Sequence, residues 1–232
     1  MKKYGIGARL LACASLIREG SCLADVGTDH AYLPIYLFEM GKISRAILSD
    51  INEGPLESAR RNVDESGFSD RAQFFLCDGA AALSESGATD YTICGMGGEL
   101  IADIIEKAPH LRSGDIRLIL QPMSKKHLLR AYLFEHGFDI VKEVYSQEDG
   151  KHYVTLLAKY VGGRVAFSEA DAELGMVGAA PDSKELTAYM KAYRKTLLKV
   201  ASGKARGGED PSYEERIINE IERRFDIKQE FV

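Results

Sequence analysis

The residues of this chain best placed to do chemistry are Asp25-Val26-Gly27-Thr28-Asp29 and the adjoining His30, which close the apolar run Leu23-Ala24. A strand ending at Val26, a backbone turn at Gly27 and a helix starting near Ala31 would bring free helix N–H groups against a ligand. A dinucleotide fingerprint needs G-x-G-x-x-G, and its second glycine position is here Asp29, a carboxylate where a pyrophosphate would approach. NAD and FAD are therefore disfavoured. A cationic ligand such as S-adenosylmethionine, carrying a sulfonium and an α-ammonium, would be attracted by Asp25 and Asp29. The plainer alternative is a solvated turn in which Asp29 only caps the helix.

Two further carboxylates repeat the pattern. Arg45-Ala46-Ile47-Leu48-Ser49-Asp50 reads as a buried strand ending in Asp about 20 residues after the glycine turn, the position from which a carboxylate accepts from ribose hydroxyls, with Ile51 and Asn52 beside it. Gln73-Phe74-Phe75-Leu76-Cys77 runs into Asp78-Gly79, whose carboxylate suits an adenine amino group. A fourth strand, Tyr91-Thr92-Ile93-Cys94, opens into Gly95-Met96-Gly97-Gly98, a wall that lets backbone approach a ligand closely. One such aspartate is an ordinary turn residue, whereas three at one edge of a parallel sheet point to a site.

The motifs Asp-Val-Gly-Thr-Asp-His-Ala-Tyr-Leu-Pro (25–34), Glu-Gly-Pro (53–55), Gly-Met-Gly-Gly (95–98), Leu-Gln-Pro (120–122) and Glu-Asp-Gly-Lys (148–151) occur in one order. Together they resemble the bacterial tRNA (adenine-22-N1)-methyltransferase family, over roughly residues 5–160. The resemblance implies a class I methyltransferase fold, S-adenosylmethionine as donor, tRNA as partner and a 1-methyladenosine product in the D-arm. It implies a donor site of Asp25, Gly27, Thr28, Asp29, His30, Asp50, Ile51, Asn52, Cys77, Asp78, Gly79, Gly95, Met96 and Gly97, with Gly98, Gln121 and Pro122 on the substrate side. The chain departs from the family in having Met123 where Asn is more usual, which removes an amide near the base pocket and suggests that Met123 simply packs. It also has Asp50 where relatives often carry Glu.

N1 of adenine has its own lone pair, so such an enzyme must position, unpair and desolvate the base more than deprotonate it. Asp29 is the candidate to stabilise the cationic product, and His30 could contact donor or base or simply pack. The fourth strand lacks the Asp/Asn-Pro-Pro-aromatic tetrad used to methylate the exocyclic nitrogen, which favours N1 over N6. A methyltransferase of another RNA or a small molecule, and a donor-binding protein without turnover, remain the alternatives.

These residues need an α/β scaffold. Helical periods over 7–19, 31–40, 54–66, 79–85, 98–108 and 125–136 alternate with the strands and predict a mostly parallel Rossmann-like sheet. Phe138–Tyr145 and His152–Lys159, joined through Glu148-Asp149-Gly150, predict a terminal antiparallel hairpin. No apolar run approaches the ~20 residues of a membrane span, and Met1-Lys2-Lys3-Tyr4-Gly5 opens no signal peptide, so a cytoplasmic protein is expected. Cysteines 13, 22, 77 and 94 lack metal-site spacing, so neither zinc nor a disulfide framework is expected, though Cys77 and Cys94 could meet electrophiles if exposed.

A boundary is expected at 162/163, with a donor-binding domain over 1–162 and a helical hairpin over 163–232. Pro181-Asp182 and Glu185 suggest a helix start, Leu186, Met190, Tyr193, Leu197 and Val200 a coiled-coil-like seam, and Pro211-Ser212-Tyr213-Glu214-Glu215 a capping box before the stripe Tyr213, Ile217, Ile218, Ile221 and Phe225. The short connection favours intrachain pairing, in a monomer or weak homodimer. Net charge is −5, yet Lys184, Lys191, Arg194, Lys195, Lys199, Lys204 and Arg206 face a single acid, Glu185, over 184–206. That stripe, and a second cluster of Lys125, Lys126, His127 and Arg130, could track RNA phosphates.

Overall fold

The computed structural model describes residues 5–176 and 183–227. The expected helix start at Pro181-Asp182 and the N-terminal Met1-Lys2-Lys3-Tyr4 lie outside them. In chain order the elements are α1 (Ala8–Leu16), β1 (Ser21–Val26), α2 (Tyr32–Glu39), β2 (Ile43–Asp50), α3 (Glu53–Glu65), β3 (Ala72–Leu76), β4 (Asp90–Gly97), α4 (Gly98–Glu106), β5 (Arg117–Ser124), α5 (Lys126–Glu135), β6 (Phe138–Glu148), β7 (Lys151–Tyr160), α6 (Glu169–Leu174), α7 (Lys184–Gly207) and α8 (Ser212–Phe225).

One sheet of order β3-β2-β1-β4-β5-β7-β6 holds all seven strands. The first five run parallel and β7 enters antiparallel between β5 and β6. The central strands are apolar on both faces because helices cover both, and Leu23, Ala24, Ile47, Leu48, Ile93 and Leu118 are sealed from solvent. The direction of winding reverses between β1 and β4, so their carboxyl ends border a crevice. Asp149 and Gly150 both take positive φ, 49° and 72°, and close the β6–β7 hairpin in the sense that matches strand twist.

Three local expectations need correction. Residues 79–85 form only a single 3-10 turn at Ala81–Leu83. Two left-handed glycines, Gly79 and Gly87, bracket the segment, and only Ala80 and Leu83 reach the core before Ala88. Where a helical hairpin alone was expected over 163–232, a further short helix, α6, precedes it, capped by a reciprocal Ser168–Asp171 box. Ser183 caps α7 by accepting from the Leu186 N–H at 3.0 Å. No box forms at α8, where the Ser212 hydroxyl donates to Asp210 instead (2.8 Å).

Helices α7 and α8 pair within the chain, and α7 also rests on β6 and β7. Its buried residues are therefore Leu186, Tyr189, Met190, Leu197 and Ala201, while Val200 is 42% exposed. The seam turns toward the sheet as well as toward α8, which moves the stripe by one residue at Tyr189 and Ala201. Core packing continues without a break from Phe138, Tyr145 and Val154 of the hairpin into Tyr189, Met190, Ile217 and Ile221.

Candidate active site

At the carboxyl edge of the sheet, where β1 and β4 diverge, a cavity of about 680 Å³ is lined by residues from, or just after, every parallel strand but β5. Asp25, Gly27, Thr28, Asp29 and His30 come from β1 and the turn after it, Asp50 from the end of β2 with Ile51 and Asn52 following it, Cys77, Asp78 and Gly79 from the segment just after β3, and Gly95 and Met96 from β4. Parallel pairing sets this alignment, with Val26 level with Ser49 and Asp50 level with Leu76. The order of carboxylates along the edge is Asp78, Asp50, Asp25.

Asp25 is 8% exposed and accepts from the Thr92 hydroxyl on β4 at 2.6 Å. Burial raises its carboxyl above the usual range, and the Thr92 bond only partly opposes this. Gly27 turns at φ 76°, and a Cβ there would stand 2.2 Å from Met96 Cε, so the glycine lets Met96 floor the cavity. Asp50, a lining residue, accepts from the Asn52 N–H at 2.8 Å through one of its two carboxylate oxygens. Asp29 is 75% exposed and lies 3.5 Å from His30 Nε2, whose ring stacks on Tyr32. Asp29 caps nothing: α2 starts at Tyr32 after Ala31, a left-handed residue with φ 57°, and its cap uses no side chain.

The thiols differ from simple reactive groups. Cys13 and Cys94 share a hydrogen bond at 3.5 Å between sulfurs, and that bond with burial pushes the Cys94 thiol well up. Burial also raises Cys77. Among the described residues no cluster of His, Cys, Asp and Glu suits a metal ion.

The substrate-side residues fall into two groups. Gly97, expected at the donor, ends β4 as the N-cap of α4 and is not among the residues lining the cavity, and Gly98 is buried with a notional Cβ 2.3 Å from the Lys125 carbonyl oxygen, so it allows two backbones to touch and offers no face to a ligand. Gln121 is fully buried and spends its amide internally: Oε1 accepts from Arg9 Nη1 (2.7 Å) and the Gly95 N–H (3.2 Å), and Nε2 donates to the Pro122 carbonyl (3.2 Å). Pro122 is buried too. Met123 is 45% exposed and does not pack as expected, because only its sulfur turns back, 3.5 Å from Gln121 Nε2.

Within the basic cluster at the start of α5 only Arg130 is buried, and each of the four residues has a contact inside the chain. Arg130 is wholly buried and bonded through Nε and Nη2 to Glu143 (2.8 and 3.2 Å) and through Nη1 to the carbonyls of Ala172 and Glu173, so it cannot meet phosphate as the sequence suggested. Lys126 lies over the Tyr189 ring, and burial, then Arg130, lowers its pKa. Lys125 pairs with Glu99, and His127 lies 3.5 Å from Glu173. On α7, Arg194 is engaged by Glu222 (2.5 Å) and is also removed from the expected stripe, and Lys204 is held by Glu214 (2.8 Å). Lys191, Lys195 and Lys199 are exposed along one side.

Arg9 was not legible. It enters the cavity wall from α1, and its only sequence trace is a basic residue early in an amphipathic helix.

The switch-point crevice, the strand-end acids and the terminal antiparallel hairpin together define a Rossmann-like class I methyltransferase fold, and residues 6–156 match the methyltransferase domain family. The chain belongs to the tRNA (adenine(22)-N(1))-methyltransferase family. It is 35% identical to the Bacillus subtilis enzyme of that name over 198 residues, 85% of this chain and 83% of the relative. The crystal structure of B. subtilis TrmK superposes with a TM-score of 0.74 at 29% identity, covering 96% of each chain. Streptococcus pneumoniae Sp1610 in complex with S-adenosyl-L-methionine gives 0.80 at 34% identity, covering 94% of this chain and 99% of that one.

Proposed function

We infer that the protein transfers a methyl group from S-adenosylmethionine to N1 of adenine 22 in the tRNA D-arm, as the name of its B. subtilis relative states for that enzyme. The carrying observation is the row Asp78, Asp50, Asp25 along one cavity edge, with Asp29 where a dinucleotide's pyrophosphate would lie. The donor set fits: Asp78 suits an adenine amino group, Asp50 ribose hydroxyls, and Asp25 and Asp29 the cationic methionyl end. Asp25 supports this reading most directly, because a buried carboxylate with no cation paired to it among the described residues gains from a cationic ligand.

The donor supplies an electrophilic methyl on a sulfonium, and adenine N1 supplies the lone pair, so no side chain has to act as a strong base. What remains for this chain is orientation and charge. Asp29, exposed at the cavity mouth, can accept from the adenine amino group and stabilise the positive charge that N1 acquires. His30 stacks on Tyr32 beside it and bounds the approach of the base. The exposed residues of α7, Lys195 and Lys199 foremost, supply the RNA-facing surface of a C-terminal appendage comprising 163–232, and an enzyme of this kind works in the cytoplasm with its tRNA.

The test is methyl transfer from labelled S-adenosylmethionine to two unmodified tRNA transcripts that differ only in A or G at position 22. Label in the A transcript alone is expected. Equal labelling of both would refute the site, and labelling of neither, with donor binding intact, would refute this acceptor.

A further inference from the structure

Two sulfurs from distant parts of the chain lie against each other at the cavity wall. Cys13 of α1 is fully buried, whereas Cys94, near the end of β4, is half-buried and lines the cavity. Their Sγ atoms are 3.5 Å apart. The neighbouring contacts give that bond a direction. Cys13 donates its own proton to the Arg9 carbonyl at 3.4 Å, so the Cys94 thiol and the Thr155 hydroxyl, 3.7 Å away, both donate to the Cys13 sulfur. The bond from Cys94, then those of Thr155 and the charge of Arg9, hold the Cys13 thiol below its ordinary value against its burial. Cys13 is thus the nucleophilic sulfur of the pair, and Cys94 the sulfur that a reagent in the cavity can reach.

The backbone beside Cys94 is irregular. The β4–β5 register shifts between Cys94 and Met96, and Gly95 turns at φ 79°. Such a bulge frees the strand end from its ladder and lets it follow the sulfur. A disulfide holds its sulfurs at about 2.05 Å, roughly 1.5 Å closer than these thiols stand. Closing that gap draws the end of β4 and α1 together. The groups carried along, Gly95 and Met96 on β4 and Arg9 and Leu10 on α1, all line the cavity, and Met96 is its floor beneath Gly27.

Resting on the donor reading above, we propose that Cys13 and Cys94 are a redox switch of this site: peroxide oxidises them to an intrachain disulfide that deforms the cavity and weakens donor binding, and a bound donor shields the pair. Peroxide enters by the cavity and reacts at Cys94. Its O–O bond breaks, one oxygen goes to Sγ as a sulfenic acid and the other leaves as water. The Cys13 sulfur then displaces the sulfenic hydroxyl, the S–O bond breaking as the S–S bond forms, and the hydroxyl leaves with the Cys13 proton as a second water. Two thiols are oxidised and one peroxide is reduced to two waters. A small dithiol reverses the bond by exchange. Cys77 also lines the cavity, and its thiol donates to the Gly79 carbonyl at 3.6 Å, so it reports on oxidation of a cysteine outside the pair.

The test treats the full chain with hydrogen peroxide, alkylates the residual thiols, maps non-reduced digests by mass spectrometry and titrates the same samples with S-adenosylmethionine. A Cys13–Cys94 linked peptide is expected, with a loss of donor affinity of about 10-fold or more that dithiothreitol reverses. Saturating donor added before the peroxide should slow the linkage. Cys13→Ala removes a sulfur that lies behind the cavity wall. It should bind the donor like the intact reduced protein, form no linked peptide and keep most of its affinity after peroxide. Oxidation of Cys77 without a linked peptide, a linked protein of unchanged affinity, or an equal loss of affinity in Cys13→Ala each overturns the switch while leaving the donor reading intact. Failure of the reduced protein to bind S-adenosylmethionine overturns the donor reading instead, and the linked peptide then still decides whether the disulfide forms.

Discussion

Asp25 carries a conflict between folding and binding. Burial raises its carboxyl above the ordinary 3.8, so ionising it costs more in the fold than in the unfolded chain. The associated stability is fully present below pH 3.8 and declines as pH rises through the raised value. Asp25→Asn keeps an acceptor for the Thr92 hydroxyl and removes the titration. It should raise Tm by about 2–4 °C near neutral pH, the shift that ~1 kcal/mol produces in a chain of this size, and give no gain near pH 4. The same change should weaken S-adenosylmethionine binding by ~10-fold or more, as a lost charged contact would. Scanning calorimetry at two pH values and a donor titration check both halves. Equal melting temperatures near neutral pH would count against a strained carboxylate. The strand-end aspartates were legible because a parallel sheet forces its strand termini onto one edge, so spacing alone brings Asp25, Asp50 and Asp78 together. Arg9 was not, because its place in the cavity wall depends on Gln121, 112 positions away, through a face of α1 that periodicity does not single out.

Helix α5 shows how an element can mislead. Lys125, Lys126, His127 and Arg130 follow a strand at the site edge and read as a phosphate patch, yet Arg130 is the internal bolt joining α5, β6 and α6. Tyr145 donates to the same Glu143 at 2.6 Å, which completes the carboxylate's satisfaction. Removing one partner strands a buried charge. Arg130→Met is expected to destabilise by about 3–5 kcal/mol, and adding Glu143→Gln should recover a large part of it. Urea denaturation of the single and double variants decides the matter, and near-additive losses would contradict the pairing. The strands, α1 to α5 and the hairpin were readable from period, because each buries a face long enough to impose one. The turn at 81–83 and α6 were not, since one turn of helix carries no period and is set by flanking glycines or a local cap. At Gly98 a related limit applies. A glycine that admits the Lys125 carbonyl looks in sequence like one that admits a ligand, and Gly98→Ala should lower Tm without a selective loss of donor affinity.

At the scale of the whole molecule, the C-terminal helices share the sheet's core, so deleting them would expose Tyr145 and Val154 and confuse unfolding with lost RNA contact. Surface charge is the cleaner probe. The chain is net negative at −5, which opposes a polyanion at long range, so tRNA affinity must come from local charge. Lys195 and Lys199 lie one helical turn apart on the exposed side of α7, whereas Arg194 and Lys204 already serve Glu222 and Glu214. Reversal of the first two, Lys195→Glu with Lys199→Glu, touches neither the buried seam nor the cavity. It should raise the tRNA KM by ~10-fold or more at low salt, flatten the dependence of log affinity on log salt by about one unit per lost phosphate contact, and leave Tm and S-adenosylmethionine affinity unchanged. Arg194→Gln should instead lower Tm with a smaller effect on tRNA, because it breaks α7 from α8. Were the double reversal to leave the salt dependence unaltered, the RNA would have to approach by another face, and the lysines of α7 would be no more than a solvated helix surface.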